Sequence, residues 1–222
     1  MTPEGLSAAD VIATFGLEPL PVEGGLYRRW YCASDVLRVD AVNTNDTRAD
    51  DTRADDTRAD DTRADDTRAD DMSAYDMRAD KPAGTAIVAM ITDEQQSFSA
   101  LHQLKTDELW HFYVGDPLVL VLLEPGGTSR RVVLGHDIGV GQMPFAVAPR
   151  GCWFGADLAP GGSFAVFGCT MAPGFTPDDF RGGVLDELLA GWPHEADAIH
   201  RLHRVDEPLF MPGAVDDPQP PA

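Results

Sequence analysis

At 222 residues with 43% hydrophobic content, the chain has material for one domain with a sizeable core and some additions. Its formal charge of −20 excludes the usual nucleic-acid binder, which gathers Lys and Arg, and disfavours an anionic membrane surface. Residues 46–80 hold 13 Asp and 6 Arg and so contribute −7, which leaves −13 on the rest: the acidity is general.

The opening MTPEGLSAAD carries acids where a signal peptide has a basic flank and an apolar run. Cys32, Cys152 and Cys169 lack C-x-x-C spacing and read as reduced, mostly buried thiols, and together these features predict a cytoplasmic protein. Within Leu6–Val11, Ser7 can cap a short helix with Asp10 completing a capping box, Leu6 can staple against Val11, and Gly16 is a natural stop. Short β-branched or aromatic runs follow, at residues 26–32, 36–42, 85–91, 98–104, 109–114, 118–123, 130–134, 145–148 and 163–170, punctuated by Gly, Pro and Asp. So many short strands without helical periods between them predict an all-β barrel or sandwich. The longest apolar run, Leu118–Leu123, is far too short to cross a bilayer.

After Pro173 the spacing turns helical. Residues 184–192 and 194–204 predict two helices broken at Pro193, and the Pro- and Asp-rich chain from 208 to 222 reads as a flexible tail. Between the strands, Thr47-Arg-Ala-Asp-Asp recurs from Thr52, Thr57, Thr62 and Thr67 and then decays to Asp80. Five residues advance a helical face by about 140°, so no apolar stripe builds up, and the position after each Ala-Asp of the repeat is a second Asp, which leaves no apolar anchor for a solenoid. Residues 45–81 are therefore expected to be a disordered loop, whose closure costs only about 1–2 kcal/mol. The Asp pairs lack the Gly and Glu positions of a calcium loop, and the repeat reads as a neutral tandem expansion. The folded domain is then expected from residues 1–44 and 82–207.

The chemistry-bearing stretch is Ser99-Ala-Leu-His102-Gln-Leu104-Lys-Thr-Asp-Glu108-Leu-Trp110-His-Phe-Tyr-Val-Gly115. It resembles the first cupin motif, H-x-H-x3,4-E-x6-G, with His102, Glu108 and Gly115 in place and Leu104 at the second His. The second cupin motif, P-x-G-x2-H, resembles Pro149-Arg-Gly151-Cys-Trp-Phe154, with Phe154 at the His position. Four segments together are similar to a cupin branch of unknown function that has a yeast member. They are Glu23-Gly24-Gly25-Leu26-Tyr27-Arg28, residues 99–117 (SALHQLKTDELWHFYVGDP), residues 134–153 from Leu-Gly-His-Asp through Gly141-Gln142 to Trp153, and Ala172-Pro-Gly-Phe175 with Asp179-Phe180. The resemblance implies a double-stranded β-helix (jelly-roll) barrel, here with one short N-terminal helix and two C-terminal helices, usually paired as a homodimer. It implies no particular reaction. Val22 and Arg29 replace the branch's His-Pro and Glu around the Glu-Gly-Gly turn, Phe154 a common Gln, and Phe145 a polar residue, so the cavity is expected to be less polar here.

Strand alternation puts Ala100, His102 and Leu104 on one face and Glu108, Trp110 and Phe112 on another. If both face inward, His102 and Glu108 meet in an apolar cavity as an ion pair or a proton-transfer couple, and they are the candidate catalytic residues. They are also the candidate ligands of a divalent metal, although two donors fall short of the usual three or four and His111 points the other way, so the working expectation is no cofactor. Candidate substrate-binding residues are Tyr27, Arg28, Ser99, Trp110, Gln142 and Trp153. Arg28 reads either as an anion anchor at the barrel mouth or as a surface salt bridge, Trp110 and Trp153 as stacking walls or as core packing, and Tyr27 as an acid or an interface aromatic. His136-Asp137 reads as a turn, and His200 with His203 as a solvated helix face. The expected partner is a small molecule, polar or sugar-like and anionic, handled by an isomerase or epimerase. The alternatives are a barrel that only binds or stores, and a metal-dependent oxygenase or lyase.

Overall fold

The computed structural model describes residues 5–39, 79–94 and 97–213. The chain divides into two units, residues 1–37 with 81–222 and residues 38–80. In the second unit Arg38 and Asp80 form an ion pair at 3.5 Å. The Thr-Arg-Ala-Asp-Asp repeat and its expected disorder lie outside the described residues, as do residues 214–222.

Helix α1 (Ala8–Phe15) begins with the expected capping box, in which Ser7 and Asp10 satisfy each other's backbone N–H, and it ends on Gly16 in the left-handed conformation. Thirteen strands follow among the described residues: β1 (Glu18–Pro19), β2 (Leu26–Cys32), β3 (Val36–Val39), β4 (Ala79–Pro82), β5 (Thr85–Thr92), β6 (Ser99–Leu104), β7 (Glu108–Gly115), β8 (Leu118–Glu124), β9 (Thr128–Leu134), β10 (Phe145–Ala148), β11 (Trp153–Leu158), β12 (Phe164–Met171) and β13 (Phe180–Gly182). Helices α2 (Leu185–Gly191) and α3 (Ala196–Arg201) close the described chain, separated by a short 3-10 turn at Pro193–Glu195.

β3 pairs with β4 in a two-stranded ribbon, and the other strands form two antiparallel sheets. One runs β1-β2-β5-β12-β7-β10, the other β13-β6-β11-β8-β9. Their inner faces supply one cluster that includes Leu104, Trp110, Phe112, Leu120, Phe154, Phe167 and Phe180. Outside the second sheet, Leu101, Val121, Leu123 and Trp153 pack under Leu188, Ile199 and Leu202 of the C-terminal helical region. Outside the first, Met90, Phe164 and Val166 pack under Val11 and Leu17. β8 is thus covered on both faces, which explains its unbroken apolar run. The result is the double-stranded β-helix barrel anticipated from the sequence, with the three expected helices. No helix among the described residues is long and apolar enough to cross a membrane.

Candidate active site

His102 reaches the barrel interior through an irregularity in β6. Ser99 pairs with Ala156 and His102 with Phe154, so Ala100 and Leu101 together stand opposite the single residue Gly155. On an unbroken strand Ser99 and His102, three residues apart, would face opposite ways; the bulge turns both inward. The imidazole is buried, 4.3 Å from the Phe154 ring centroid and stacked at 5.1 Å on Phe180. Its Nδ1 lies 2.8 Å from the carbonyl of Ala100. A carbonyl can only accept, so Nδ1 carries a hydrogen and Nε2 is left as the nitrogen that points into the barrel. That Nε2 faces Glu23 Oε2 at 4.0 Å.

Glu108 comes from the other sheet, on the first residue of β7, with Trp110 and Phe112 on the same inward face as expected. Its Oε2 accepts the indole N–H of Trp110 at 2.8 Å, and the thiol of Cys169 on β12 donates to the same carboxyl. Burial pushes the Glu108 pKa up to about 8, and the Glu23 carboxylate pushes the same way, outweighing the two donors. Burial and the Glu23 carboxylate together favour the protonated, uncharged form of Glu108 at pH 7.

Glu23 is the residue that the sequence reading missed. Its segment carries the family resemblance and reads as a tight turn, which it is: Gly24 and Gly25 take positive φ, and a Cβ on Gly24 would collide with the Phe98 carbonyl and the Arg204 guanidinium. The turn's purpose becomes visible in three dimensions. The Glu23 carbonyl accepts from the Ala100 N–H at 2.9 Å and its Oε1 accepts from Ser99 Oγ at 2.7 Å, which aims the other oxygen at His102. Cys169 was likewise missed, because a lone cysteine on a strand carries no sequence signal for a site.

Ser99 and His102 meet at Glu23, Trp110 is hydrogen-bonded to Glu108, Phe154 lies against both His102 and Trp110, and Tyr27 packs on the same interior cluster. Four other expectations need correction. Arg28 pairs across β5 with Val88, which faces outward, and its guanidinium meets the Gly16 carbonyl at 3.3 Å and Glu18 at 3.6 Å, so it ties β2 to the end of α1 and does not reach the barrel mouth. The residue of β2 sharing Tyr27's inward face is Arg29, opposite Ile87. Trp153 faces outward under the C-terminal helices, with Arg181 5.3 Å above its ring. Gln142 braces a turn, its Oε1 accepting the Asp137 N–H at 2.9 Å while its side chain packs on Gly135. Phe145, expected to make the cavity less polar, is instead exposed on edge strand β10 beside His111.

His111 lies on the outer face, as expected, with Nε2 3.0 Å from Thr170 Oγ1. Leu104 and Phe154 fill the two positions where a cupin motif carries further histidines. Among the described residues no group of three or more His, Cys, Asp or Glu is placed to hold a metal ion.

The family model described as Cupin superfamily (DUF985) matches residues 9–182. A crystal structure of a protein from Shewanella oneidensis is 26% identical with a TM-score of 0.64, covering 90% of this chain and 99% of that one. A hypothetical protein from Leishmania major is 22% identical with a TM-score of 0.67, covering 90% and 100%. No curated protein matches this chain.

Proposed function

Taking as premise that this chain belongs to the cupin superfamily, in the family described as DUF985, we propose that the barrel binds a small polar or sugar-like molecule and moves a proton on it, as an isomerase or epimerase does. The reading rests on one arrangement: inside the barrel, a buried carboxyl group whose pKa is pushed up, Glu108, and a buried imidazole, His102, whose Nε2 faces the Glu23 carboxylate, lie on either side of Phe154. Such a pair of groups with opposite proton demand is what general acid–base catalysis needs near neutral pH.

In the proposed cycle His102 Nε2 removes a proton from a carbon next to a carbonyl, and Glu108 gives its proton to the carbonyl oxygen. Glu23, held by Ser99, stabilises the imidazolium that forms. Return of both protons, one to a different face or carbon, gives the isomer with no net change in electrons. Arg29 takes over the anchoring role expected of Arg28, and Tyr27 supplies a second polar tip on the same face.

A thermal-shift screen of sugars and hydroxy- or keto-acids supplies ligands, and each hit is incubated with the protein in deuterated water. Deuterium appearing in the ligand with native protein and lost with Glu108→Gln is the expected result. A second reading, a barrel that only binds, is favoured by the closeness of Phe154 and Phe180 to His102. A hit that stabilises the protein yet never takes up deuterium selects it.

A further inference from the structure

His102, Glu108 and Cys169 are all buried, so a ligand needs a way in. Val22, Ala100 and Phe180 line a cleft of about 220 Å³ whose other residues come largely from the chain beyond α3, among them Arg204, Asp206 and Leu209. Phe180 is also the ring stacked on His102, so one residue lies between this cleft and the site. Among the described residues, two non-glycine residues adopt positive φ, Val22 at 63° and Asp206 at 65°, and both line this cleft. For a β-branched valine that conformation is strongly disfavoured, and strain of this kind gathers where chains clamp or hinge.

Past Asp206 the chain is held lightly. Among the described residues, one backbone hydrogen bond ties residues 205–213 to the barrel, from the Gly182 N–H to the Leu209 carbonyl at 2.7 Å. Glu207 meets Arg204 at 3.7 Å, while Leu209 and Phe210 stay exposed. Yet Met211 returns to pack against the barrel's interior cluster. A short, exposed segment with one main-chain bond and one inserted side chain opens far more readily than a sheet does.

We propose that residues 205–213 form a strap that gates the barrel, pivoting at Asp206 and withdrawing Met211 as a plug when a ligand passes to His102. The proposal rests on the barrel interior being the working site. Opening relieves the left-handed strain at Asp206 and uncovers Phe180, the residue against His102. Closing shuts bulk water out of the acid–base chamber.

Cys169 inside the barrel reports on the gate without any substrate. In the full chain carrying Cys32→Ser and Cys152→Ala, reaction of Cys169 with N-ethylmaleimide is followed by mass spectrometry and compared with the global unfolding rate extrapolated from urea jumps. The expected labelling is faster than global unfolding, rises at least tenfold in Met211→Asp, and rises two- to fivefold in Glu207→Ala, with both variants keeping the native circular dichroism. Glu207 is at the surface, so its variant decides the matter if Met211→Asp does not fold. Labelling that matches the global unfolding rate and does not respond to strap variants overturns the gate. That result leaves the role of Glu108 standing, since deuterium uptake tests it separately.

Discussion

Gly155 stands against Ser99 so closely that a Cβ on it would lie 2.7 Å from the Ser99 carbonyl oxygen and 3.1 Å from the Leu101 nitrogen. Both are backbone atoms of the bulge that turns Ser99 and His102 inward, so neither can give way without moving the site. Gly155→Ala is expected to cost about 1–3 kcal/mol, read from urea denaturation, and to abolish deuterium uptake. Gly191→Ala, where nothing lies within 4 Å, is the matched control and should change stability little.

Lys81 and Asp179 form a buried ion pair, each 2% exposed. The ammonium also reaches Thr106 Oγ1 at 3.3 Å, and the other Asp179 oxygen accepts from the Thr176 N–H at 2.7 Å. Removing one partner leaves a buried charge uncompensated, so Lys81→Met is expected to cost about 3–5 kcal/mol. The double variant Lys81→Met with Asp179→Leu should regain a large part of that loss in the same denaturation experiment.

The raised pKa of Glu108 makes stability depend on pH with a definite sign. The ordinary value is 4.5 and the folded value about 8, so the folded chain holds this proton where the unfolded chain releases it. The contribution is complete below pH 4.5, declines through the window between the two values by at most ~1.4 kcal/mol per pH unit, and is gone above 8. Glu108→Gln keeps an acceptor for the Trp110 indole and carries no charge. Its melting temperature, compared with that of the native chain, should gain steadily between pH 5 and 8.

Arg28 and Arg29 should separate cleanly. Arg28→Ala loosens α1 from β2 and is expected to lower the melting temperature while leaving the affinity for a screened ligand unchanged. Arg29→Ala should weaken that affinity about tenfold or more, measured by calorimetry, because its side chain starts on the inner face.

The strands containing Val, Ile, Leu and aromatic residues were legible from their composition, and β2 and β10 end where the sequence placed them. Four strands, β1, β4, β11 and β13, are not among those the sequence predicts, and the longest of them, β11 (Trp153–Leu158), has no β-branched residue and carries Gly155 at its third position. That glycine, which weakens the local strand signal, is needed for the bulge opposite. Period-two alternation was right for Glu108, Trp110 and Phe112. It failed to place Ser99 inside because a bulge resets parity, and nothing in β6 alone announces one. For Arg28 the salt-bridge alternative holds and for Trp153 the core-packing one, because neither a place after a turn nor a tryptophan says which side of a sheet a residue takes. Glu23 lies 76 residues from Ser99 and 79 from His102, a meeting that only the fold creates.

Direct titration of the Glu108 carboxyl bears most heavily on the proposed chemistry. Glutamate labelled with carbon-13 at the side-chain carboxyl, with Glu108→Gln used to assign the resonance, follows its protonation by NMR from pH 4 to 10. A midpoint near 8, moving lower in Glu23→Gln, is expected from the burial and the neighbouring carboxylate. A midpoint in the ordinary range near 4.5 would mean that Glu108 is a charged, solvated group at neutral pH, with no proton to give.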